Sequence, residues 1–159
     1  MMLAHCLEAA RTYRDAAKAA LAERLTTHAI DTQQRAAHGF AWIATSVAAL
    51  AAVSDWLTAN AGGSPLDQQV AHLIFAETLG QLVGGLPMGQ NELLRPSDLG
   101  VQDAARALEA ASSSVLLADH ASTRLAVAQA LAEGQSPSES FYDAELDSIR
   151  DQFRRFTQA

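Results

Sequence analysis

The chain has 159 residues, 49% of them hydrophobic and 18% charged, the balance of one globular domain with a single core rather than of a disordered segment. Its 11 basic residues against 18 acidic ones leave a net charge of −7, and Lys18 is the sole lysine among scattered arginines. No basic face therefore accumulates to neutralise a phosphate backbone, and nucleic-acid binding is set aside. A lone cysteine, Cys6, permits neither an internal disulfide nor a structural zinc site, and no leader-like amino terminus is visible, so a reduced, cytoplasmic protein is expected.

Alanine dominates, glycine and proline are confined to a few places, and β-branched alternation is nearly absent. The expected architecture is all-α, an antiparallel helical bundle of four main helices plus short ones, with no strand required. Residues 3–26 read as a first helix with Leu3, Leu7, Ala10, Ala17, Leu21 and Leu25 on one stripe. A second begins near Asp31, whose side chain can cap the first turn, and runs to about Asn60, where Gly62, Gly63, Ser64 and Pro65 stop it. Two apolar stripes run along it, one through Phe40, Ile43, Val47, Leu50 and Leu57 and one through Trp42, Ala49, Val53 and Trp56, which predicts the central helix of the bundle. Its alanines, Ala41, Ala44, Ala48 and Ala52, offer a shallow surface for a close neighbour. Residues 36–54 carry no formal charge, yet they are mostly alanine and lack an aromatic belt, so a buried helix is expected there and not a membrane span.

A third helix opens with Pro65 in its first turn and runs to Val83, ended by Gly84-Gly85 and Pro87. Residues 90–95 read as one more turn, and Pro96-Ser97-Asp98 opens a helical region over 99–111. Residues 115–133 form one helix or two short ones, closed by Gly134, with 135–140 as a polar linker. Tyr142, Leu146, Ile149, Phe153 and Phe156 then make an apolar heptad stripe, the candidate interface. The domain division read from this is a bundle over 1–134, then 135–159 as linker and start of a following helix.

Few residues carry a chemical signature. The histidines His5, His28, His38, His72 and His120 sit in different segments and no Glu-x-x-His pair exists, so no metal site is expected. Cys6 reads as a buried spectator thiol, and no nucleophile triad or other catalytic residue can be argued from spacing. Glu77 shares a stripe with Leu66, Val70, Leu73 and Ile74, where a charge needs a partner. It reads as an ion pair with Arg35, Arg95 or another arginine, against the alternative of a ligand-binding carboxylate. Gln90, Glu92, Arg95 and Asp98 crowd one turn-rich segment, as a ligand pocket or as a cap network.

Phe75-Ala76-Glu77, followed by Gln81-Leu82-Val83-Gly84-Gly85, resembles the Q-x-x-G-G signature in the carboxy-terminal helical domain of acyl-CoA dehydrogenases. Val83 stands where that family usually has histidine, and Pro87 where it has a further glycine. The wider pattern includes Gln34, His38-Gly39, Ala41-Trp42, Pro87-Met88, Gln90, Glu92, Arg95 and Ser97-Asp98-Leu99-Gly100. It is similar to the amino-terminal helical region of methylsuccinyl-CoA dehydrogenase-type flavoproteins, and residues 146–156 resemble the first helix of an acyl-CoA dehydrogenase proper.

The resemblance implies FAD in a parent enzyme, with Gln81, Gly84 and Gly85 as the cofactor-binding candidates. It also implies that the flavin-binding β-domain and the catalytic glutamate lie outside this sequence, so that the chain by itself holds no cofactor and is not catalytic. The expected role is that of a non-catalytic amino-terminal domain of a flavoenzyme oxidising a branched acyl-CoA, serving packing, oligomerisation or the shaping of the substrate entrance. Its partners would be the remaining domains and further copies of the subunit. The alternative is a free-standing helical interaction protein that dimerises through its carboxy-terminal stripe.

Overall fold

The computed structural model describes residues 2–60, 64–139 and 143–157. Helix α1 (Met2–Leu25) turns Cys6, Leu7, Ala10, Tyr13, Ala17 and Leu21 inward, in three- and four-residue steps that hold one face against the core. Cys6 is buried and free, as expected of a spectator thiol. Helix α2 (Gln34–Ala59) starts later than the expected Asp31. That aspartate lies in a 3-10 turn (Ile30–Thr32), and the N-cap falls to Gln33 without a side-chain hydrogen bond.

Helix α3 (Pro65–Gly84) is the central element, a correction to the expectation for α2. It touches α1, α2 and every shorter helix from α4 (Pro96–Leu99) through α5 (Gln102–Ala111) and α6 (Ser113–Leu116) to α7 (His120–Ala132). Leu66, Asp67, Ala71, Phe75, Ala76, Leu79 and Leu82 of α3 are buried. By contrast α2 buries one face only, through Ala36, Gly39, Ile43, Val47 and Leu50. Its second apolar stripe is only partly covered: Val53 and Trp56 are half-buried while Trp42 and Ala49 are exposed, as are Ala41, Ala48 and Ala52. By length and composition alone α2 could cross a membrane. Here its uncharged segment forms one wall of the bundle core.

The second correction is a β-hairpin where a helical turn was expected. Strands β1 (Leu86–Gly89) and β2 (Glu92–Leu94) pair antiparallel, Leu86 opposite Leu94 and Pro87 opposite Leu93. Leu86, Met88 and Leu94 face the core while Pro87 and Gly89 face out, a two-residue period too short to be distinguished from a turn in the sequence. Pro87 is tolerated because a two-stranded sheet has only edges. Two glycines admit the hairpin. Gly85 adopts φ +144°, and a Cβ there would lie 2.9 Å from Leu93 Cδ2. On α2, a Cβ at Gly39 would lie 2.6 Å from Leu94 Cδ1, so glycine lets the hairpin seat against the helix.

Beyond the hairpin, the region expected as one helix over 99–111 breaks at Gly100, which turns left-handed at φ +77° and separates α4 from α5. The 115–133 run resolves as two pieces, α6 and α7. Asp119 caps α7 by accepting from Ser122 N at 3.0 Å, and Gly134 closes it at φ +82°. Helix α8 (Ala144–Thr157) follows the linker. Neither α7 nor α8 buries a single described residue.

Candidate functional site

Around the hairpin, Arg35 of α2 is the organising cation. Its guanidinium donates to the Leu93 carbonyl at 2.7 Å and to Asp98 Oδ2 at 3.3 Å, and lies 3.4 Å from Glu92. Asp98 also accepts the Arg95 backbone N–H at 2.9 Å, closing the first turn of α4. That hydrogen bond, with Arg35 behind it, holds the Asp98 carboxyl below the usual carboxylate range. Asp98 therefore caps α4, and with Glu92 it joins Arg35 in a network that pins hairpin to helix. Gln90 stays exposed at the hairpin turn, and the Arg95 side chain points away, lining a cleft with Gly84, Ser97, Gln102 and Arg106.

Glu77 does not face the core. It is about half exposed and pairs with Arg124 of α7 at 3.0 Å, so the expected internal ion pair is corrected to a surface one and the inward stripe with it. The reason is phase: α3 is apolar on several sides, and the buried set follows Ala71, Phe75, Leu79 and Leu82 rather than Val70, Leu73 and Ile74. Gln81 and Gly85 line the groove between α3 and α7, beside Glu77 and Arg124, whereas Gly84 opens onto the Arg95 cleft. The three cofactor candidates are thus divided between two faces, and a Cβ at Gly84 would meet nothing within 4 Å. As a cradle for FAD within this chain the set does not fit.

A third arrangement ties the linker to the bundle, and sequence reasoning missed its central residue. Asp67, fully buried on the first turn of α3, accepts from Ser138 N at 2.8 Å, Ser138 Oγ at 2.7 Å and Ser64 N at 2.9 Å. Ser64 Oγ accepts the Asp67 N–H in return, completing a capping box, and Trp56 Nε1 donates to the Ser138 carbonyl at 3.0 Å. Burial alone would raise the Asp67 carboxyl, but the hydrogen bonds from Ser138 and Ser64 outweigh it and hold the group below its ordinary value. The S-P-x-D signature at Ser64 to Asp67 was legible as a cap. Its second partner, Ser138, comes from the far end of the chain and left no local signal.

From this latch the linker leads to α8. Arg150 donates to the Glu139 carbonyl and pairs with Asp147, and Arg154 pairs with Glu139, which ties the middle and last turn of the helix back to the linker. Glu145 and Asp147 in its first turn and Arg154 and Arg155 in its last both favour the helix dipole. Its apolar stripe is bare: Leu146, Ile149, Phe153 and Phe156 are 52%, 42%, 68% and 84% exposed. Tyr142, the fifth expected interface residue, lies outside the described residues. No element covers this stripe among the described residues, and aromatic surface of this kind marks an interaction site.

No protein-family signature matches the chain. Against curated proteins it is 33% identical over 157 residues to the (2S)-methylsuccinyl-CoA dehydrogenase of Cereibacter sphaeroides. That alignment takes in 89% of this chain but only 28% of the relative, so the chain spans little more than a quarter of the length of the protein it matches. Along nearly its whole length the chain is thus similar to one part of a longer protein, which supports a relationship to the acyl-CoA dehydrogenase family.

Proposed function

We propose that the chain is the non-catalytic amino-terminal helical domain of an acyl-CoA dehydrogenase-like flavoenzyme, cytoplasmic and without a membrane span, whose parent uses FAD to oxidise a branched acyl-CoA such as methylsuccinyl-CoA. In this reading residues 1–134 form the bundle, residues 135–159 lead into the next domain, and the bundle serves packing, oligomerisation or the shaping of the substrate entrance. The observation that carries it is the bare stripe of α8, held at a fixed departure point by the Asp67–Ser138 latch. The modest match to a relative more than three times as long supports it. Covering Phe153 and Phe156 against the remaining domains would remove their apolar surface from water at about 25 cal/mol per Å².

A second reading is favoured by the charge order of α8, acidic at its start and basic at its end, which suits antiparallel pairing of two copies. In that case the chain is a free-standing helical interaction protein.

One experiment separates them: the intact mass of the native protein in its source cells, detected with an antibody against this chain. A species several-fold heavier than 16.8 kDa that carries flavin is expected. A native polypeptide near 16.8 kDa would sink the flavoenzyme reading and leave the interaction protein.

A further inference from the structure

Two histidines that share no local motif are brought together by the fold, away from the hairpin network and from α8. His72 of α3 and His120 at the start of α7 stand with ring centroids 5.9 Å apart and planes tilted by 37°. His120 Nε2 lies 3.3 Å from the Leu116 carbonyl oxygen. A carbonyl only accepts, so Nε2 carries the proton and the lone pair is on Nδ1. That Nδ1 is buried and has no partner among the described residues.

A buried acceptor without a donor is costly, so its orientation calls for an explanation. Metal-binding histidines have this arrangement: one ring N–H donates to a carbonyl, which fixes the tautomer, and the other nitrogen faces the ion. His72 of α3 stands half-buried beside His120. Two metal–nitrogen bonds of about 2.0–2.1 Å each, added to the two ring radii, slightly exceed the observed centroid separation, which puts the two rings within reach of a shared ion by a bent bridge. Asp119, next in the chain, adds a negative charge beside His120 while both its oxygens are engaged by Ser122.

We propose that His72 and His120 form a two-histidine site for a divalent transition ion of the zinc, nickel or copper class, which staples α7 to α3. No group of three or more His, Cys, Asp or Glu side chains gathers there among the described residues, so water completes the coordination. The staple would act where hydrophobic burial does not, since α7 buries none of its described residues.

The test is calorimetric titration of the untagged full chain with Zn²⁺ alone, repeated for His72→Gln, His120→Gln and, as a control, His5→Gln. One ion bound, weakened about tenfold or more by each of the first two substitutions and unaltered by the third, is the expected result. No uptake at about 1 mM Zn²⁺, or unchanged affinity in both His72→Gln and His120→Gln, overturns the site. Should a variant fail to fold, amide exchange of the unaltered chain decides: Zn²⁺ must slow exchange in α7 more than in α1, and equal or absent slowing rejects the staple.

Discussion

Helices α3 and α8 make an instructive pair. The later helix has the cleaner pattern, one apolar stripe from Leu146 to Phe156 against charged flanks, yet it buries none of its described residues. The earlier one is apolar on several sides, with little periodic contrast, and it occupies the centre with Phe75 and Leu79 fully buried. Amphipathicity therefore states that a helix has one face to bury; whether a partner is at hand is a separate matter, decided by the rest of the fold. A helix apolar all round is itself a sign of surroundings on every side, and α3, touched by α1, α2, α5, α6 and α7, has them.

The comparison can be broken most forcefully by truncating one aromatic on each helix. Phe75→Ala removes a fully buried ring and is expected to destabilise the chain by about 3–5 kcal/mol in urea unfolding. Phe153→Ala, at a residue 68% exposed, is expected to stay within about 0.5 kcal/mol, while reducing any self-association or docking of the chain. Equal losses from the two substitutions would mean that α8 is covered in solution.

A smaller effect sharpens the boundary between the two regions. Asp67→Asn leaves one oxygen to meet donors that now face two, and about 1–3 kcal/mol is expected to be lost. Because the Asp67 pKa is lowered in the folded chain, its contribution is complete above the unfolded value of about 4 and is lost as pH falls through the folded value. The latch should therefore open in acid, reported by faster proteolysis after Ser138 and by a change in the fluorescence of Trp56, whose indole donates to the Ser138 carbonyl. An acid response of the same size in Asp67→Asn would place the titrating group elsewhere.

The smallest expected effect lies at the junction of α3 and α7. Glu77→Gln removes an exposed ion pair with Arg124 and should change stability by no more than about 0.5 kcal/mol at moderate salt. A loss several times larger, measured in the same urea series, would show that α7 depends on this pair.

Much of the helical framework was legible. The Gly-Pro punctuation at 62–65 and the Gly84-Gly85 stop each act through local backbone preferences, which a sequence displays directly. The hairpin was missed because four- and three-residue strands carry too few repeats for a period to be read, and Pro87 and Gly89 resemble a loop. In the polar cluster, Asp98 and Glu92 were visible, but their organiser Arg35 lies 63 residues before Asp98. Asp67 drew no reading from the sequence, because its second partner Ser138 lies 71 positions away.

What the sequence determined by itself was the class of structure and most of its helix ends, since alanine content, glycine, proline and capping residues act within a few positions of themselves. Tertiary structure alone decided which helix is central, which face of α2 is covered, that Glu77 turns outward, and that His72 meets His120. Those outcomes depend on long-range packing, where several apolar faces compete for the same limited core and only the assembled chain selects among them.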